Sequence, residues 1–244
     1  TSLMNFRFDG EESDVGGHNL GNLILTALTQ TTGSFMEAIR TFSKFLNVKG
    51  EIIPSSLDII TLYAMMEEGT IVRGESNIPA FNNHIDHVFY ETKVEPTTEA
   101  LQAIHEADLI VYGIGSLYTS IMPNLIVDGI SEEVRMNKAK KIYFCNAMTQ
   151  PGETDGFSLE DHVRALQKHS FEGAVDIVVT HSNKASSEIL EKYKKMGSEP
   201  IKVVEKEHTF DILYRDILSF EDNLIRHDSN KIRDIVKELI EQIG

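Results

Sequence analysis

Apolar residues first recur at helical spacing in GGHNLGNLILTALTQTTG. There Leu20, Leu23, Ile24, Ala27 and Leu28 share one face, and Gly33 supplies a C-terminal stop. SFMEAIRTFSKFL repeats the pattern, with Ser34 and Glu37 in a capping-box arrangement and Phe35, Ile39, Phe42 and Leu46 as its apolar face. Over residues 51–90 the period shortens. EIIPSS, IITLYAMM, TIVRGESNI and HVFYE read as short strands, with Glu68 and Gly69 turning between two of them. Adjacent strands with no helix between them predict an antiparallel or mixed patch beside a parallel core.

From residue 97 the alternation becomes regular. TTEALQAIHEA precedes the strand DLIVYG, and a helix over 123–136 precedes KIYFCNA. SLEDHVRALQKH precedes DIVVTH, SSEILEKYKKMG precedes a short strand PIKVVE, and a last helix covers 230–243. Apolar runs alternating with amphipathic helices predict βα units around a parallel sheet with helices on both faces. In such sheets ligands gather at the carboxyl ends of the strands, so the loops after DLIVYG, KIYFCNA and DIVVTH are the places to search.

Composition narrows the partners. The 23 basic and 38 acidic residues give a net charge of −15, which disfavours a nucleic-acid binder but not one small anion held on main-chain N–H groups. Cys145 is the one cysteine, so no internal disulfide and no multi-cysteine metal site is expected, and its place in KIYFCNA reads as core. No apolar run is long enough for a membrane span and no signal peptide is visible, so the expectation is a cytoplasmic protein. Assembly with further copies of itself is left open.

Three loops carry candidate chemistry. In ADLIVYGIGSLYTS, Gly113 and Gly115 follow a strand as a phosphate-cradling turn requires, but Tyr118 takes the place of a third glycine. Asn146, not an acidic residue, follows the next strand. The dinucleotide fingerprint therefore fails. Ser116, Tyr118, Thr119 and Ser120 remain, a row of hydroxyls suited either to an anion or sugar or to a plain strand-to-helix turn. In GGHNLGNL, His18, Asn19 and Asn22 follow two glycines, which suits contact with phosphate or a nucleobase edge as well as simple capping by Asn19. In NAMTQPGETDGFSLEDH, an unusually long strand-to-helix connection holds Thr149, Gln150, Gly152, Glu153, Thr154 and Asp155. Glu153 and Asp155 could take sugar hydroxyls or Mg²⁺, Asp155–Gly156 equally makes a turn, and Ser158 with Asp161 caps the helix. Asp228 or Ser229 in LIRHDSNK reads as a cap with Arg226 and His227 as exposed neighbours. No Ser–His–Asp order, H-E-x-x-H or Walker lysine occurs, so binding or a metal-assisted transfer is favoured.

In that order, GGHNLGNL, GIGSLYTSIMPNLIVDGI and NAMTQPGETDGFSLEDHV resemble the gluconeogenesis-factor family, CofD-like relatives of 2-phospho-L-lactate transferase. VRGESNI and LIRHDS add to the likeness. The resemblance implies an α/β fold, a Rossmann-like three-layer sandwich with a mostly parallel sheet and a small antiparallel β sub-structure. It further implies a cytoplasmic nucleotide-sugar-binding regulator of carbon flow, cell-wall precursor supply and cell shape, with UDP-N-acetylglucosamine as the type ligand. The alternative is a Mg²⁺-dependent transferase acting on a deazaflavin. Carried over, the ligand positions are Gly17, His18, Asn19 and Asn22, then Gly113, Gly115, Ser116, Leu117, Tyr118, Thr119 and Ser120. Asn146, Met148, Thr149, Gln150, Gly152 and Glu153 complete them, with Asp155 for a metal and no catalytic residue identified. The family's G-G-G-T-G-type loop and D-D-G-G-type segment do not occur here. The expectation is therefore one domain over 1–244 without the family's N-terminal glycine-rich strand–helix module.

Overall fold

The computed structural model describes residue 4, residues 6–8 and residues 16–243, and the chain divides into two compact units, Thr1–Leu57 and Asp58–Gly244.

In the first unit, α1 (Leu20–Thr32) and α2 (Phe35–Phe45) form a helical hairpin. Both ends of the joint are set by the residues the periodicity singled out. Gly33 takes a left-handed conformation, φ +70°, and its N–H bonds Thr29 O, closing α1. Ser34 then accepts the Glu37 N–H and opens α2. Asn19 caps α1 by accepting from Asn22 N–H at 3.3 Å, and Arg7 pairs with Asn19 in an isolated antiparallel bridge.

The second unit begins with an antiparallel sheet of order β2–β1–β3, from β1 (Leu62–Met66), β2 (Ile71–Arg73) and β3 (Ile85–Tyr90). The predicted turn stands between β1 and β2, where Gly69 has φ +93° and its N–H bonds Met66 O. Residues 51–56, read as a strand, form none; Pro54 has no N–H to add to a ladder. The short α3 (Asn77–Ala80) lies between β2 and β3.

The parallel core then follows: α4 (Thr98–His105), β4 (Leu109–Tyr112), a π-turn over Leu117–Ile121 running into α5 (Met122–Leu125), α6 (Ile130–Met136), β5 (Lys140–Phe144), α7 (Leu159–Lys168), β6 (Ile177–His181), α8 (Ser187–Lys195) and β7 (Asp211–Arg215). The hairpin β8 (Leu218–Ser219) and β9 (Arg226–His227) precedes α9 (Ser229–Ile243). The sheet order is β4–β5–β6–β7, with Tyr112, Tyr143, Val178 and Ile212 in one row across it. Side chains alternate across β5: Tyr143 joins a core with Leu159, Val163 and Leu166 of α7, whereas Ile142 and Phe144 join Ile235 and Leu239 of α9. Helices on both faces of a mainly parallel sheet, with a small antiparallel sheet against one core, make the α/β three-layer fold that was expected.

Two predictions need correction. The 123–136 helix is split, because Gly129 at φ +80° ends one turn and starts α6. PIKVVE is not a strand. The fourth strand is β7, and residues 200–205 instead run along the 147–160 segment, where Ile201 N–H bonds Ala147 O and Lys202 O accepts from Leu159 N–H. Pro200, lacking an N–H, suits this bridging path better than a ladder.

Candidate ligand-binding site

The loops after β4 and β5 are stitched to each other by three side-chain bonds. Asn146 Nδ2 donates to Gly115 O at 3.0 Å, Gln150 Nε2 to Ser116 Oγ at 2.9 Å, and Thr119 Oγ1 to Glu153 Oε1 at 3.1 Å. Two of the three candidate loops therefore form one structure at the carboxyl end of the sheet. The glycines differ in what they do there. A Cβ on Gly115 would press on Ser120 Cβ at 2.9 Å, while Gly113 faces open space. Leu117 and Tyr118 are buried in the core rather than open to the pocket. Thr149 is likewise used inside the fold, its hydroxyl accepting from Glu199 N–H at 2.9 Å.

The 150–155 segment is rigidly folded. Gln150 N–H bonds Thr154 Oγ1, and Gly152 N–H bonds Asp155 Oδ2 at 2.6 Å. Gly152 has φ +79°, and a Cβ there would stand 1.9 Å from Pro79 O, so α3 can sit on this loop only because residue 152 is glycine. Ser158 and Asp161 form the capping box at the head of α7.

Beside this loop opens a pocket of about 550 Å³, within the range of small-molecule sites. Asn146, Met148, Thr149, Gln150 and Glu153 line it from the loop after β5. Tyr193, Ser198, Ile225 and His227 line it from α8, the turn after it and the β8–β9 hairpin, a contribution the sequence reading missed. His227 was read as an exposed neighbour of a cap. It is instead half-buried, with Nε2 3.3 Å from Cys145 O, and burial lowers its pKa. Asp228 does cap α9, accepting from Asn230 and Lys231 N–H. Tyr193 OH accepts from Ile225 N–H at 2.8 Å, tying those two lining residues together.

Glu153 is the one carboxylate on the pocket and is only 6% exposed. Burial pushes its pKa up, against the pull of the Thr119 hydroxyl, the N–H groups of Tyr118 and Thr119, and the Ser116 hydroxyl. Cys145, the residue before Asn146, is buried with its thiol pushed up to about 12, which leaves it without nucleophilic character. For magnesium, the fit is partial. Asp155 spends Oδ2 on the turn, Glu153 is the remaining carboxylate, and no cluster of three or more His, Cys, Asp or Glu side chains able to hold a metal occurs among the described residues. A divalent ion here would draw on Glu153 and the phosphates of a ligand. Gly17, His18, Asn19 and Asn22 belong to the first unit, where Gly17 N–H bonds Phe8 O, His18 O accepts from Phe8 N–H, and Asn19 acts as the cap described above.

Fold and pocket together define an α/β protein with a pocket beside the loops at the carboxyl ends of parallel strands, and no helix among the described residues is long and apolar enough to cross a membrane. The family model "2-phospho-L-lactate transferase CofD" matches residues 1–218. The chain is 41% identical to the gluconeogenesis factor of Bacillus subtilis, covering 98% of this chain and 77% of that protein. It is also 41% identical to that of Halalkalibacterium halodurans, covering 97% and 74%. A crystal structure of a UPF0052 family member from Bacillus halodurans superposes with a TM-score of 0.89 at 41% identity, over 96% of this chain and 77% of the other. The chain belongs to the CofD family, among the members named gluconeogenesis factor.

Proposed function

We propose that this protein is a nucleotide-sugar-binding regulator of carbon flow and cell-wall precursor supply, acting in the cytoplasm. The observation that carries the reading is the pocket after β5, lined by Asn146, Gln150 and Glu153 together with Tyr193 and His227. Its groups are those that hold hydroxyls, amides and flat rings, and Cys145, the residue before Asn146, is buried with its thiol pushed up to about 12. The Gly113–Ser116 stretch, tied to the pocket lining through Asn146 and Gln150, is the place for the pyrophosphate, with Gly113 open to a close approach. Names of relatives point the same way, toward control of gluconeogenesis. Calorimetric titration with a panel of UDP-sugars tests the proposal; it fails if none binds.

A second reading, a metal-dependent transferase of phosphorus-containing groups, is favoured by the family description. In it Glu153, or the free oxygen of Asp155, assists Mg²⁺. Mass-spectrometric detection of a new product from a deazaflavin acceptor would select it over binding alone.

A further inference from the structure

Two acceptors on the pocket have nothing to accept from. Gln150 and Glu153 both line the pocket, and Gln150 Oε1 and Glu153 Oε2 are each sealed from water without a hydrogen-bond partner. The rest of each side chain is held in place. Gln150 Nε2 donates to Ser116 Oγ, which fixes the amide with its oxygen elsewhere, and Glu153 Oε1 accepts from Thr119 Oγ1. Tyr112, His162 and Asn183 also carry unpartnered buried atoms, but none of them lines this pocket. Both unpartnered atoms on this pocket are acceptors, so its unmet demand is for hydrogens.

An anionic phosphate brings no hydrogen and is repelled by a carboxylate, whereas a sugar hydroxyl or an amide N–H brings one. Building on the nucleotide-sugar reading, we infer that Gln150 and Glu153 are the specificity-determining acceptors for the ligand's sugar hydrogens. The groups acting on Glu153 are neutral donors: the hydroxyls of Thr119 and Ser116 and the N–H groups of Tyr118 and Thr119. No cation among the described residues acts on it. Its raised pKa agrees, since a buried carboxyl short of donors holds its proton and incoming donors favour the ion.

The test is calorimetry on the full chain with UDP-N-acetylglucosamine, UDP-glucose and UDP, using the wild type, Glu153→Leu and Gln150→Met, with circular dichroism checking folding. The wild type is expected to prefer the sugar nucleotides over UDP by about 10- to 100-fold, as one or two hydrogen bonds to a charged or buried acceptor would give. Each variant should shrink that preference, losing more affinity for the sugar nucleotides than for UDP. Equal losses for UDP and sugar nucleotides, or an undiminished preference in both variants, would overturn the inference and leave the binding reading standing. If none of the three probes binds the wild type, both fall. The wild type is also titrated with deoxy-sugar analogues, which keeps the question answerable should a variant misfold; analogues bound as tightly as the parent overturn the inference. A preference that disappears in EDTA would assign discrimination to a metal and overturn it too.

Discussion

Glu153 and Glu160 occupy one stretch of chain and are buried alike, 6% and 2% exposed, yet they end in opposite states. Burial acts first on both and raises both pKa values. For Glu160 it is outweighed: the carboxylate accepts from His208 Nε2 at 2.9 Å and from the N–H groups of Val204 and Glu205 at 3.1 Å, and its pKa settles at about 2. Glu153 has the Thr119 hydroxyl and one oxygen with no partner, and its pKa stays raised. Exposure does not distinguish them; the partners do, since Glu160 holds the His208 imidazole and two N–H groups whereas Glu153 keeps one oxygen without a partner. One glutamate completes the fold by pinning residues 204–208 to α7, and the other is left for a ligand to complete.

Four measurements press on that contrast. Glu160→Ala strands two main-chain N–H groups and His208, and should cost about 3–5 kcal/mol in urea unfolding with an unchanged denaturant slope; a loss below about 1 kcal/mol would end the comparison. Gly152→Ala should cost about 2–4 kcal/mol by the same assay, because its Cβ meets a main-chain carbonyl at a positive φ. Acid titration of stability comes next. The folded pKa of Glu160 lies below its ordinary value of 4.5, so its contribution, on the order of 2–3 kcal/mol, is present above pH 4.5 and lost as pH falls toward about 2. Thermal melts of wild type against Glu160→Gln across that window measure it, and parallel curves would refute it. Glu153 has the opposite sign: its folded pKa lies above 4.5, so stability declines as pH rises through that value. Glu153→Gln should therefore be neutral or stabilising by less than about 1 kcal/mol at neutral pH. In the wild type, sugar-nucleotide affinity should strengthen as pH rises through the same range, and an affinity flat with pH would count against it.

Much of the frame was legible because it rests on local rules. KIYF and IVVTH, the two inner strands, and DLIVY at the sheet edge are apolar runs between amphipathic helices, and Gly33, Ser34, Gly69 and Ser158 are punctuation that works at short range. What failed depended on tertiary competition. IKVV has the composition of a strand, but DILYR outcompetes it for β6, and Pro200 with the Glu160 carboxylate claims the segment. At the site, the sequence pointed to the loops after β4 and β5, and they do come together. It could not say which hydroxyls were already spent: Thr149 is tied to Glu199 and Tyr118 is buried. The rest of the lining escaped because Tyr193, Ile225 and His227 come from α8 and the β8–β9 hairpin, distant in sequence and bland in type. A hint existed in the long MTQPGETDG connection, since such a loop needs a second surface to lean on.

The lone thiol has a practical side. Cys145 follows directly on an inner strand, one residue before the pocket-lining Asn146, and neither solvent nor deprotonation reaches it in the folded protein. A thiol-reactive dye added to the native protein will therefore be consumed only as fast as β5 comes loose. The chain carries its own stopwatch, with no engineered label, and a ligand held by the neighbouring Asn146 should make it run slow.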